Sequence, residues 1–214
     1  SPGGGDNLFI ASIVALKGAT GEYAWHYQTT PGEVWDFDAT AQLMLADLTI
    51  NGQARQVIMQ ANKNGFFYVL DRATGQLLSA QAFTKVNWAT GIDLKTGRPI
   101  YDPSNRPSDP TKSADGKKGG SVFAVPSFLG GKNQMPMAYS PKTQLFYVPT
   151  NEWGMEIWNE PNINPEWMSV PNVTLFPHLG SASIHTRNGM GQLTVDNILA
   201  FVKGTTPKTP VPET

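Results

Sequence analysis

Asp36 and Asp38 flank Phe37 in the stretch Glu33-Val34-Trp35-Asp36-Phe37-Asp38. On an extended backbone, side chains alternate, so both carboxylates face one side and Phe37 the other. Their Cα atoms would then lie about 6.5–7 Å apart, near enough for both to reach one hard cation, which prefers oxygen ligands. The same spacing also suits a solvated loop, a setting that Asp favours. Two other polar stretches stand out. Asn62-Lys63-Asn64-Gly65 reads as a tight turn, with Lys63 a hairpin-turn lysine. In Leu129-Gly130-Gly131-Lys132-Asn133-Gln134, Asn133 reads as a turn residue after the glycine pair. His26, His178 and His185 do not cluster in sequence and read as structural or exposed. The chain has no cysteine, which excludes disulfides, thiolate metal sites and covalently attached c-type haem.

The frame around these residues is turn-rich and nearly neutral. The 214 residues include 21 Gly and 17 Pro, only 15% are charged, and the net charge is −1. No Lys/Arg stripe exists to neutralise a nucleic-acid backbone, so no nucleic-acid partner is expected. No apolar run approaches the roughly 20 residues of a membrane span. The length suits one domain or a small pair and can bury a sizeable core. Ser1-Pro2-Gly3-Gly4-Gly5 reads as a loop cut into rather than as a natural start.

The elements that must position the polar stretches are short strands. Leu8 to Leu16 reads as a buried strand, Tyr23 to Gln28 as its return, and Leu43 to Ile50 as a third. Asn51-Gly52 is the type I′ hairpin dipeptide, with Val57 to Gln60 pairing back across it. Phe66 to Leu70, Gln76 to Ser79, Val122 to Phe128 and Leu145 to Pro149 continue the series. One turn recurs: Lys17-Gly18-Ala19-Thr20-Gly21, Asp71-Arg72-Ala73-Thr74-Gly75, Asp93-Leu94-Lys95-Thr96-Gly97, and Ser140-Pro141-Lys142-Thr143 with Gln144 in the glycine place. Repeated hairpins of this kind indicate an all-β architecture of propeller blades, and the length could hold four or five. Arg98 to Gly120 is polar, has no periodicity, and reads as a long surface excursion. Beyond Asn159 the blade pattern stops, dividing the chain into 1–160 and a divergent tail, 161–214. Within that tail, Thr194 is the expected N-cap of a helix near 195–203, with Ile198, Leu199 and Val202 on its apolar face and Gly204 ending it.

Three stretches together resemble one family, the alcohol and methanol dehydrogenases that carry pyrroloquinoline quinone. The first runs from Gly5-Asp6-Asn7-Leu8 through Trp25-His26-Tyr27-Gln28-Thr29-Thr30-Pro31 into Trp35-Asp36. The second runs from Asn62-Lys63-Asn64-Gly65 to Ala73-Thr74-Gly75, and then Val86 to Gly91. The third joins Leu129 to Gln134 with Met137-Ala138-Tyr139-Ser140-Pro141 and Tyr147 to Asn151. The resemblance implies an all-β, partial β-propeller: about four blades of an eight-bladed quinoprotein propeller, followed by a short C-terminal helix. Trp25 fits a tryptophan-docking position that locks one blade to the next.

The resemblance also implies a site. Asp36 falls at the family's catalytic aspartate, a metal ligand as well as a base. Asp38 falls where lanthanide-dependent members have a second Asp, and one more anionic oxygen suits a trivalent ion. Lys63 matches the basic residue that bonds the quinone oxygens, while Asn133 and Gln134 match the cofactor-contact stretch. The implied cofactors are pyrroloquinoline quinone with a lanthanide(III) or Ca²⁺ ion. The implied reaction is oxidation of a primary alcohol to an aldehyde, with cytochrome c as electron acceptor, in the periplasm. The family's other metal ligands have no counterpart in these residues, so other protein chains completing or covering the propeller are expected. The alternative is a non-catalytic interaction subunit that binds a partner through its exposed sheet edges.

Overall fold

The computed structural model describes residues 5–107, 119–159, 184–206 and 208–209. The chain divides into two compact units, Ser1–Pro161 and Asn162–Thr214. The first is all-β. Its strands are β1 (Ser12–Leu16), β2 (Tyr23–Gln28), β3 (Met44–Ile50), β4 (Gln53–Ala61), β5 (Phe66–Asp71), β6 (Leu77–Ala82), β7 (Ala89–Ile92), β8 (Pro99–Tyr101), β9 (Gly119–Ala124), β10 (Ala138–Ser140), β11 (Leu145–Tyr147) and β12 (Met155–Asn159).

One blade is complete among the described residues: β3-β4-β5-β6 form a four-stranded antiparallel sheet. Asn51 (φ 51°) and Gly52 (φ 76°) make the expected primed turn, which brings Ile50 opposite Gln53. Along this sheet the two-residue period is clear. Phe66, Tyr68 and Leu70 on β5 are buried on the face that Ile58 and Gln60 share, while Val57, Met59 and Ala61 on β4 are buried on the opposite face. The remaining strands pair two by two, as β1-β2, β7-β8, β9-β12 and β10-β11. The whole is a partial propeller whose core gathers Trp25, Tyr27, Trp35, Phe37, Tyr68 and Trp88.

The recurrent turn is a structural repeat. In each copy the fifth residue has positive φ (Gly21 73°, Gly75 75°, Gly97 71°, Gln144 57°) and its N–H donates to the carbonyl of the first. Asp71 and Asp93 further accept from the Thr hydroxyls of their own turns, at 3.0 and 2.9 Å. The turns also receive aromatics from β2. Trp25 lies over Gly75 and donates from Nε1 to the Arg72 carbonyl (3.2 Å), while Tyr27 lies beside Gly97 and donates to its carbonyl (2.7 Å). Trp25 therefore does lock one repeat to the next.

Several boundaries differ from the sequence expectation. The apolar run from Leu8 becomes a strand only at Ser12, and within it Ile13 is buried while Val14 and Leu16 are about half exposed. Leu8, Phe9 and Ile10 are about half exposed, in a turn where the Ile10 N–H donates to Asn7 O. Val125 to Phe128 and Val148 to Pro149 lie beyond the ends of β9 and β11. The expected excursion from Arg98 begins with strand β8, and its residues 108–118 lie outside the described part. The tail helix, α1 (Ile184–Val202), starts ten residues before Thr194, which sits inside it rather than capping it. Its end is as expected: Gly204 (φ 66°) closes a Schellman motif, its N–H donating to Phe201 O and that of Thr205 to Ala200 O. Phe201 and Val202 are largely exposed, so burial of a local apolar face does not account for the helix.

Candidate functional site

The Asp36–Asp38 stretch is not a strand. It belongs to the loop between β2 and β3, and Asp36 adopts φ 68°. The carboxylates share one side for a different reason. Trp35 and Phe37 are both fully buried and stacked, with ring centroids 5.9 Å apart, against Trp88 at 5.4 and 5.7 Å. With every second residue anchored in the core, Asp36 and Asp38 are left outside it. The indole N–H groups are satisfied: that of Trp35 donates to Asn105 O (2.9 Å) and that of Trp88 to Asn64 O (2.8 Å).

Glu33 shapes the bend. One carboxylate oxygen accepts the backbone N–H groups of Trp35 (2.5 Å) and Phe37 (2.9 Å). Burial raises the Glu33 pKa, and the nearby Asp36 charge adds to the rise, against the lowering effect of those backbone bonds. Arg106 covers the outer side. Its guanidinium sits 5.3 Å from the Trp35 ring centroid and donates to Gly32 O at 2.7 Å. At the far end, buried Gln60 clamps the loop by donating to Ala39 O (2.9 Å) and Ala41 O (3.0 Å).

Lys63 enters from the β4–β5 turn. Its side chain is only 8% exposed, yet Nζ lies 3.2 Å from Asp36 Oδ2 and 2.8 Å from Asp38 Oδ2. The turn is rigid because its flanking asparagines bond inward. The Asn64 amide reaches Tyr68 OH (2.8 Å) and Thr30 Oγ1 (3.1 Å), and Asn62 reaches Gln60 Oε1 (2.8 Å). Burial alone would lower the Lys63 pKa, but its bonds to Asp38 and Asp36 outweigh that and raise it. Burial likewise acts to raise Asp38, and the Lys63 and Thr40 hydrogen bonds outweigh it, holding the carboxyl below its usual value. Lys63 is thus no exposed turn lysine.

Asn133 and Gln134 do not join this cluster through hydrogen bonds. The Asn133 amide is used within its own loop, donating to Leu129 O (3.0 Å) and accepting the Gln134 N–H (2.8 Å), and Gln134 is exposed. The loop is nonetheless packed on the Lys63 turn, since the Gly131 N–H donates to Lys63 O at 2.9 Å. Its Lys132 is fully buried and donates to Asn133 O at 3.0 Å, and desolvation lowers its pKa. Glu33, Gln60 and the Asn62/Asn64 network were not singled out from sequence. The available signal was weak: a carboxylate three residues before Asp36, and paired asparagines around Lys63.

Two neighbouring carboxylates are suitable donors for a hard cation and would fill part of its shell of six to eight oxygens. The point on which their Oδ2 atoms converge is taken by Lys63 Nζ, so a cation would draw on their remaining oxygen positions. No third His, Cys, Asp or Glu joins them among the described residues. Asp36, with its side chain 68% exposed, is placed to meet an external molecule, while the ammonium group beside it can stabilise developing negative charge.

Residues 3–91 match the model of the PQQ glucose/ethanol/alcohol dehydrogenase β-propeller domain. The chain is 52% identical over 147 residues to the quinohemoprotein alcohol dehydrogenase ADH-IIG of Pseudomonas putida, covering 69% of this chain and 20% of that protein. The solved structure of the quinohemoprotein alcohol dehydrogenase ADHIIG from Pseudomonas putida HK5 superposes with a TM-score of 0.68 at 48% identity, over 76% of this chain and 23% of that one. A europium-containing methanol dehydrogenase gives a TM-score of 0.64 at 41% identity, over 71% of this chain and 25% of that one. The chain thus spans about a fifth to a quarter of the length of these relatives.

Proposed function

Since this chain belongs, through its propeller portion, to the quinoprotein alcohol dehydrogenase family, we propose that it supplies the base-and-cation corner of an alcohol-oxidising site. The observation that carries this reading is the convergence of Asp36 and Asp38 on the buried Lys63 ammonium. Pyrroloquinoline quinone, bound with a lanthanide(III) or Ca²⁺ ion, would supply the acceptor for the two electrons and the Lewis acidity that makes it electrophilic.

The chain's own residues do the rest. Asp36 takes the hydroxyl proton of a primary alcohol on a carboxylate oxygen, as the hydride leaves the carbinol carbon for the acceptor and the aldehyde forms. Lys63 holds Asp36 in its aim and sets a positive charge beside the developing oxyanion. Asp36 and Asp38 would hold the metal ion. The second carboxylate favours a trivalent ion, which needs more anionic charge around it than Ca²⁺ does. Asn133 and Gln134, on the loop packed on the Lys63 turn, would contact the cofactor.

Blades from another part of the protein or from another chain complete the site, a cytochrome c takes the electrons onward, and the compartment is the periplasm. The test is dye-linked oxidation of a primary alcohol by the full protein carrying this sequence, reconstituted with the quinone and either Ca²⁺ or La³⁺. Asp36→Asn should lower kcat by about 100-fold or more while quinone binding persists. Unchanged turnover in that variant would remove Asp36 from the chemistry.

A second reading, an interaction subunit without catalysis, draws on the two-stranded sheets and on exposed Phe123 and Trp153. It predicts neither a quinone absorption band nor retained metal after dialysis, and a stable partner on the sheet edges.

A further inference from the structure

Gly130 and Gly131 form the turn before Asn133, but their packing ties them to Lys63. The Gly131 N–H donates to the Lys63 carbonyl at 2.9 Å. Gly130 (φ +77°) lies so close to the same residue that an added Cβ would overlap Lys63 Cγ. It would also come within 2.6 Å of the Lys63 carbonyl oxygen and 2.8 Å of its Cα. A Cβ on Gly131 would instead meet Thr84 Oγ1 at 2.7 Å and Gly65 Cα at 3.1 Å, so contact with the lysine stem is particular to Gly130.

A lysine stem has four rotatable carbons and, unbraced, swings its strongly hydrated ammonium into water. Here the stem is held at two places: Cγ against bare glycine backbone, and Nζ between Asp36 and Asp38. We propose that Gly130 is a positioning residue, the floor on which the Lys63 side chain lies and which sets where its ammonium meets the two carboxylates. Any side chain there lifts the stem and withdraws Nζ from the pair. The consequence for alcohol oxidation rests on the function proposed above; the placement of Nζ does not.

The experiment needs neither cofactor nor metal, so its outcome is separate from that of the catalytic reading. In a ¹H–¹⁵N spectrum tuned to lysine ammonium groups, exposed lysines exchange too fast to be seen, whereas a buried, paired Lys63 gives a resonance that Lys63→Met removes. Gly130→Ala should abolish or displace that resonance while the indole N–H signals of Trp35 and Trp88 stay in place. Gly52→Ala, at φ +76° with open space around it, should leave it untouched. An unmoved Lys63 resonance in folded Gly130→Ala overturns the proposal.

If Gly130→Ala is too unstable for the spectrum, urea midpoints decide. The loss caused by Gly130→Ala should shrink in a Lys63→Ala background, where Cγ is gone. An equal loss in both backgrounds, including failure to fold in both, overturns it as well.

Discussion

Lys63 is a buried cation whose two anionic partners are half exposed or more, and that asymmetry predicts how it behaves. Lys63→Met should cost about 1–2 kcal/mol in urea unfolding, held to the low end because water screens Asp36 and Asp38. The pH dependence follows from the shifts. Asp38 titrates below its unfolded value, so its share of stability is present above about pH 4 and is lost as pH falls through the folded pKa. Lys63 titrates above its unfolded value, so its share is full below about pH 10 and is lost as pH rises through the folded pKa. The gap between wild type and Lys63→Met should therefore be flat from pH 5 to about 9 and narrow at both extremes. A gap peaking near pH 7 would contradict the pairing. Glu33 gives a second test. Glu33→Ala leaves two backbone donors unmet and should cost about 2–4 kcal/mol, whereas Glu33→Gln keeps an acceptor and should cost about 1 kcal/mol or less. Equal losses would show that the two N–H bonds matter little. At this scale the sequence was partly legible. The spacing of Asp36 and Asp38 put them on one side, although buried rings rather than an extended strand enforce it. Lys63 looked like an ordinary turn lysine until the family resemblance singled it out, because burial and long-range partners leave no local mark. Glu33 was overlooked although its partners, the Trp35 and Phe37 N–H groups, are close in sequence, because nothing local marks its burial.

Among the elements, the Thr-Gly turns were the most legible, because their geometry is local: an Asp or Lys carbonyl, a Thr hydroxyl and a positive φ within five residues. What sequence alone could not give is which aromatic lands on which turn. That contact is testable by comparing two glycines of similar φ. Gly52→Ala, with nothing nearby, should cost about 1 kcal/mol of backbone strain alone. Gly75→Ala puts a methyl 2.6 Å from the Trp25 ring and should cost about 1–3 kcal/mol more. Thermal unfolding would show this as an extra drop of several degrees, about 2–4 °C per kcal/mol at this chain length. Matching midpoints would mean that the Trp25 contact carries no weight. The misread elements share a cause. An apolar run without a period, Leu8–Ile10, does not reveal its turn. The helix signal was found only from Thr194 because Gly189 and Gly191 dilute it upstream, though the helix runs through both.

For the molecule as a whole, the sheets differ in how well they are supported. Central strands β4 and β5 are paired on both sides, whereas each strand of β7-β8 and β10-β11 has one partner among the described residues. Native-state hydrogen exchange should find the slowest amides in 53–71, by about tenfold or more over those two hairpins. Uniform protection across all sheets would show the blades to be of equal rank. The all-β class and the propeller kinship were legible from repeat and resemblance, since both rest on short-range pattern. The number of complete blades was not, because strand pairing depends on which neighbours the chain offers.

The stacking around Trp88 has an optical consequence. Trp35, Phe37, Trp88 and Tyr101 form a chain of rings with neighbouring centroids 5.4–6.0 Å apart, directly beneath the loop that bears Asp36 and Asp38. Chromophores held that close in a fixed asymmetric array couple their ultraviolet transitions and give a strong near-UV circular dichroism band, which vanishes when packing loosens. The protein thus carries an intrinsic spectroscopic gauge of its carboxylate loop, readable without label, cofactor or turnover.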